Sequence, residues 1–275
     1  MKKGYGRGFL LAMVLLLLPS GAFTNPWEMK LPFAEATITY ELSGMETGEE
    51  VLYIKDHGKR TAQYRTASTS MFGMTMKNRT VEITDPDWVY SFDLQEQTGT
   101  KSINPQKLMV EEFNKLSGEE RKKVEQNAET MGTSMMQGMQ GTVEPKVQDI
   151  LGYPCDKVTM MGVTVYSIHG SSIPLLTDSN MMGIAMKSTA TSISEGPVAE
   201  EHFQFPAGID PQPDAEADRM AQIMAEQTIA MLKDPESFKK ENKSLLRPRD
   251  QGDISPEDQQ KMEEAMNALK GLFGK

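Results

Sequence analysis

The 275-residue chain has one cysteine and three histidines, and only 7% of it is aromatic. One cysteine excludes an internal disulfide and any zinc site built from several thiolates. His57, His169 and His202 show no HxH or HxxxH spacing. GxSxG, HExxH and Gly-rich phosphate-loop motifs are missing, so the sequence names no reaction, no catalytic residue and no cofactor. Positive charge is short too. Against 39 Asp and Glu stand 29 Lys and Arg, a net charge of −10, which argues against a nucleic-acid partner. No apolar run approaches the roughly 20 residues of a membrane-spanning helix. The longest, Phe9–Leu18, has ten.

That short run has the form of an export signal. Lys2, Lys3 and Arg7 precede it, Pro19 breaks it, and Ser20-Gly21-Ala22 offers a small-residue cleavage site. Residues 1–22 are therefore expected to be a signal peptide cut after Ala22. The protein is then periplasmic or secreted, and its mature form carries no transmembrane span. Removing the three basic residues leaves a mature charge of −13. A scarcity of cysteine suits an oxidising compartment.

From Ala34 to Ile103 the pattern is strand-like. Ala36, Ile38, Tyr40 and Leu42 alternate with polar residues at period two. Val51–Ile54 reads as the return strand, and shorter strands are expected over Arg60–Ala67, Met71–Lys77 and Val81–Thr84. In Trp88–Leu94, the residues Trp88, Tyr90, Phe92 and Leu94 share a face. Regular turn spacing indicates hairpins and an antiparallel sheet.

The period changes after Pro105. Gln106–Leu116 reads as helix, and Ser117-Gly118-Glu119-Glu120 is a capping-box pattern for a second helix reaching about Met131. Gly132, Gly138 and Gly141 weaken a helix beyond that point. Strands resume at Asp156–Met161, Val163–Ile168, Ile173–Thr177, Met182–Ile193 and Glu200–Phe205. The tail has helical spacing over Ala215–Leu232 and again from Ser255-Pro256 to about Phe273. The expected organisation is an α+β fold: a sheet domain over 23–211 with a helical insertion at 106–141, then a helical tail over 212–275.

Asp87–Thr98 and Phe203–Asp210 resemble the strand-and-turn and closing strand of the LolA/LolB-like outer-membrane lipoprotein carriers. Tyr40–Lys59, Leu151–Lys157 and the same closing strand are similar to an uncharacterised bacterial family, the domain of unknown function numbered 4412. The resemblance spans roughly Ala34–Pro211. It implies a strongly curved antiparallel half-barrel whose concave face holds apolar groups under helices. The Met-rich insertion and the tail depart from the carrier pattern, and no ligand-contacting residue of the carriers maps onto this chain.

The 22 methionines cluster at Met71/Met74/Met76, Met131/Met135/Met136/Met139, Met160/Met161 and Met181/Met182/Met186. Thioethers are soft ligands that suit Cu(I). Met is also a pliable filler of apolar surfaces. Copper sites commonly add His or denser Met repeats, so apolar lining is favoured and no metal site is assigned. The ligand-cavity candidates are Phe72, Met74, Met76, Trp88, Tyr90, Phe92, Met131, Met135 and Met139. Cys155 reads as a small buried residue and His57 as a turn residue. The expectation is a non-enzymatic exported binding module for an apolar ligand, such as a lipid or a lipoprotein acyl chain. Its alternatives are a Met-based Cu(I) binder and a structural envelope protein whose tail helices hold a partner.

Overall fold

The computed structural model describes residues 31–235 apart from 72, 73, 139, 140, 161, 182 and 183. Side chains are described for all of these but 71, 74, 129–138, 181 and 184. The described residues belong to one compact unit, Met1–Pro235. The helix expected after Ser255 lies outside them.

Twelve strands form one open, curved sheet. They are β1 (Ala36–Gly44), β2 (Glu46–Lys55), β3 (Arg60–Met71), β4 (Met74–Thr84), β5 (Trp88–Asp93), β6 (Thr98–Ile103), β7 (Thr142–Ile150), β8 (Tyr153–Met160), β9 (Val163–Ile168), β10 (Pro174–Met181), β11 (Ile184–Glu195) and β12 (Gln212–Pro213). Their order across the sheet is β12-β6-β5-β4-β3-β2-β1-β11-β10-β9-β8-β7. Each half is a meander of antiparallel hairpins, and β1 joins the halves by pairing with β11. Only the short β12 runs parallel to its neighbour. The fold is thus α+β around a single sheet. Curvature is visible where Tyr153 of β8 donates its hydroxyl to Glu195 of β11. Two strands lie between them, and three steps of about 4.8 Å would hold them roughly 14 Å apart in a flat sheet.

Register explains where the cores sit. β1 to β6 pair without a shift, so residues directly opposite share a face. One row runs Ile38, Leu52, Gln63, Glu82, Ser91, Thr100. The adjacent row, on the other face, runs Thr37, Tyr53, Ala62, Ile83, Tyr90, Lys101. The apolar side of the sheet therefore changes between β2 and β3. Ala36, Ile38, Tyr40 and Ile54 pack with Leu31, Phe33, Cys155, Ile168 and Leu175 on the Ile38 side. Ala62, Val81, Ile83 and Phe92 form a second cluster on the Phe92 face, with Ile209 and Phe203 over it.

Among the described residues three helices accompany the sheet: α1 (Pro105–Asn114), α2 (Gly118–Gly138) and α3 (Ala215–Lys233). Asn104 caps α1 by accepting from the Gln106 amide at 2.9 Å, with Pro105 in the first turn. The capping box of α2 forms in both directions. Glu120 accepts from the Ser117 amide at 2.9 Å, and Ser117 Oγ accepts from the Glu120 amide at 3.4 Å. Phe113, Val124, Ile229 and Leu232 bury one another where the three helices meet. Asp218 of α3 accepts from the Ile103 amide at 2.7 Å and so fastens the helix to β6.

Several expectations change. The helix α2 runs through Gly132 to Gly138. The pieces expected at Arg60–Ala67 and Met71–Lys77 are one long hairpin, β3–β4. β7 is an additional strand, exposed along nearly its whole length. Glu200–Phe205 is not a closing strand: Glu200–Phe203 is a 3₁₀ turn. This turn belongs to a strap, residues 196–211, that crosses the Phe92 face from the end of β11 to β12.

Candidate functional site

The strap is held by side chains that the sheet presents in sequence from β2 to β5. Lys55 donates to the Val198 carbonyl at 3.0 Å. Lys55 and Arg60 both donate to the Glu200 carboxylate, Lys55 at 2.6 Å and Arg60 through two nitrogens at 2.8 and 3.3 Å. Hydrogen bonds from Arg60 and Lys55 hold the Glu200 carboxyl down at about 2. Tyr64 donates its hydroxyl to the His202 carbonyl at 2.9 Å. Phe205 leans on Tyr90 and Phe92, with ring centroids 4.6 and 5.4 Å away. Ile209 joins the same cluster.

Between strap and sheet lies a cavity of about 230 Å³, lined by Arg60, Ile83, Thr84, Asp85, Tyr90, Phe203 and Phe205. It is smaller than the roughly 300–1,000 Å³ of sites that enclose drug-sized ligands. Its apolar wall is aromatic and its polar wall carries one guanidinium and one carboxylate. Arg60 lies over the Phe203 ring at 4.8 Å. Asp85 Oδ1 accepts from the amides of Asp87 and Trp88, which fixes the turn into β5.

The expected cavity residues fall into separate places. Trp88, Tyr90 and Phe92 share the Phe92 face. Of these, Tyr90 lines the cavity, Phe92 is buried beneath Phe205, and Trp88 stands under Lys101, whose ammonium is 3.7 Å from its ring. Met76 is opposite Thr69, which is opposite Glu46, so it lies on the Ile38 side. Met76 and the aromatic trio therefore occupy opposite faces and do not line one wall. The side chain of Met74 lies outside the description. Phe72 and Met139 lie outside the described residues. Met131 and Met135 fall within the backbone of α2, and their side chains lie outside the description.

Met76 and Met186 are exposed, at 57% and 42%. Both sit at the sheet end where β1–β2, β3–β4 and β10–β11 turn. A repeated triplet, Met-Phe-Gly at 71–73 and Met-Met-Gly at 160–162 and 181–183, marks three hairpins of that end in the sequence. Among the described residues no group of three His, Cys, Asp or Glu side chains is placed to hold a metal ion.

The histidines are dispersed. His57 occupies a turn at φ +56° and faces the Leu31 carbonyl at 3.2 Å. His169 pairs with Asp156 at 2.7 Å. His202 lies on Tyr53. Cys155 is buried, and burial pushes its thiol up. Arg60, Asp85, Phe203 and Phe205 were missing from the sequence candidates. The signal for Phe203 and Phe205 was Phe-x-Phe-Pro at 203–206, since proline cannot donate to a sheet ladder, while Arg60 and Asp85 had no signal in the sequence.

No protein-family model matches the chain, the uncharacterised family numbered 4412 included, and no curated protein matches it in sequence. Among the described residues, no helix is long and apolar enough to cross a membrane. Three solved structures are similar to it in part. An uncharacterised conserved protein from Thermus thermophilus aligns over 66% of this chain and 91% of its own, with 10% identity and a TM-score of 0.37. PNGF-II aligns over 70% of this chain but only 33% of its own length, with 12% identity and a TM-score of 0.33. MucB aligns over 63% of this chain and 58% of its own, with 9% identity and a TM-score of 0.32.

Proposed function

We propose that this is a non-enzymatic, exported binding module that holds the apolar chain of a lipid or lipoprotein on the Phe92 face, beneath the strap. The observation that supports it is the cavity with Ile83, Tyr90, Phe203 and Phe205 on one wall and Arg60, Thr84 and Asp85 on the other. Aromatic and aliphatic side chains of β2 to β5 adjoin one another there, and a segment with few sheet hydrogen bonds covers them. In the strapped form the space admits the end of a chain. Raising residues 203–209 would extend it across Val81, Phe92 and Ala62, all of them buried now. The export signal at 1–22 gives the reading its compartment.

The test is to purify the mature protein from the envelope that exports it, extract it with organic solvent and identify the lipids by mass spectrometry. Stoichiometric acyl lipid is the expected result. Protein that returns no lipid and takes up none from micelles ends the reading. N-terminal sequencing of the same material should begin at Phe23.

A further inference from the structure

We propose that Glu200 is a built-in stand-in for the ligand's head group, so the ligand is an anionic amphiphile whose carboxylate or phosphate displaces Glu200 from Arg60 and Lys55. This inference rests on the binding-module reading above and names the ligand class for that site.

Three features of the site carry it. First, the chain is acidic, yet two cations converge on one strap carboxylate beside the cavity. Arg60 is itself one of the walls, and Lys55 lies on the same face of the sheet. Second, the carboxylate that both cations share, Glu200, is 60% exposed and brought in by the strap and not by the sheet, while Glu35 stands farther from Lys55 at 3.9 Å and Asp85 is spent on the turn into β5. Arg60 grips it through two nitrogens, the fork geometry that also suits a fatty-acid carboxylate or a phosphate monoester. Third, both cations stand over Phe203, at 4.8 and 6.0 Å from its ring, so the anion site adjoins the apolar wall. An acyl chain in the cavity puts its charged end where the Glu200 carboxylate now sits. The Glu200 latch and the ligand then compete for one pair of cations. Occupancy by the ligand frees the strap at its 3₁₀ turn.

The competition predicts an unusual sign: removing a charged residue at the site should tighten binding. Laurate, its neutral chain-matched alcohol and inorganic phosphate are titrated calorimetrically into wild type, Glu200→Gln and Arg60→Gln. Laurate should bind wild type more tightly than the alcohol. Glu200→Gln should strengthen laurate binding by about tenfold, because the latched population no longer taxes it, and should leave the ratio for the alcohol near one. Arg60→Gln should erase the preference for laurate over the alcohol. Phosphate alone should bind weakly and compete poorly.

Glu200→Gln binding laurate no more tightly than wild type overturns the inference, as does equal gain for laurate and alcohol. Phosphate binding as well as laurate also overturns it, since the site then takes free anions. If neither laurate nor the alcohol binds any of the three proteins, the binding-module reading falls and this inference with it. If both bind wild type alike, the reading stands and the inference alone fails. Glu200 is an exposed strap residue, and a far-UV circular dichroism spectrum of Glu200→Gln that matches wild type at the titration temperature confirms that folding is not the variable.

Discussion

The imidazole of His202 lies flat on the phenol ring of Tyr53, with centroids 3.7 Å apart and planes 8° from parallel. Tyr64 meets the same imidazole edge-on, at 6.4 Å, and donates to the carbonyl of that residue. The strap is therefore clamped midway by an aromatic stack. His202→Ala should cost about 1–2 kcal/mol in urea unfolding, the worth of a stacked pair plus part of its buried area. Amide exchange over residues 198–209 should accelerate more than exchange in β3 and β4. Equal acceleration throughout would mean that the strap and the sheet open together.

Gly99 lies beneath the strap for a steric reason. A Cβ there would come within 2.8 Å of Phe92 and 3.2 Å of Ile209, two buried side chains with no free direction. Gly99→Ala should destabilise by about 1–3 kcal/mol through overpacking. Gly118→Ala is the control. Nothing lies within 4 Å of its added methyl, and it opens α2, so it should be neutral or slightly stabilising. Thermal melting of the two variants decides the point, and a neutral Gly99→Ala would show that the strap does not press on Phe92.

The latch has a pH signature. Hydrogen bonds from Arg60 and Lys55 depress the Glu200 carboxyl to about 2 in the folded protein, below its ordinary unfolded value near 4.5. A depressed acid stabilises the fold above the unfolded value and ceases to do so as pH falls through the folded one. The contribution is thus fully present above about pH 5 and is lost as pH falls from about 4.5 to about 2. The stability difference between wild type and Glu200→Gln should be flat from about pH 5 to about pH 8 and shrink toward zero near about pH 2. A difference that instead grows on acidification contradicts the latch.

On the Ile38 side Arg65 is pinned between Glu46 at 2.6 Å and Glu50 at 2.9 Å. The Glu50 side chain is only 9% exposed. Arg65→Met leaves the Glu50 carboxylate without its cation. A buried pair broken this way typically loses about 3–5 kcal/mol. Arg65 is itself 31% exposed, so water offsets part of the loss and about 2–3 kcal/mol is expected at neutral pH. Adding Glu50→Gln to Arg65→Met should recover most of the loss in urea unfolding, because the uncompensated carboxylate is gone. A double variant no more stable than Arg65→Met would assign the effect to packing.

Local order is written in this sequence more clearly than tertiary order. The alternation of Ala36, Ile38, Tyr40 and Leu42 becomes β1, and Ser117 with Glu120 becomes a capping box, because each depends on residues a few positions apart. The separation of Met76 from Tyr90 was not legible. Both stand on alternating strands, and which face each takes depends on register through β3 and β5. β7 carries no strand signature because Pro145 and its charged neighbours lack an apolar face, as befits an edge strand. Phe203 and Phe205 have strand spacing, yet Pro206 and the 3₁₀ turn before them leave the segment lying across strands instead of beside one.

A ligand held between strap and sheet on the Phe92 face must perturb one side of the sheet and spare the other, and methyl-resolved NMR separates the two. The protein is labelled at its isoleucine and methionine methyls and titrated with laurate. Ile83 and Ile209 flank the cavity and the strap. Met76 and Met186 mark the opposite side of the sheet. Ile83 and Ile209 should shift saturably while Met76 and Met186 stay in place. Saturable shifts at Met76 and Met186 with Ile83 unmoved would put the ligand on the wrong face and contradict the proposed site.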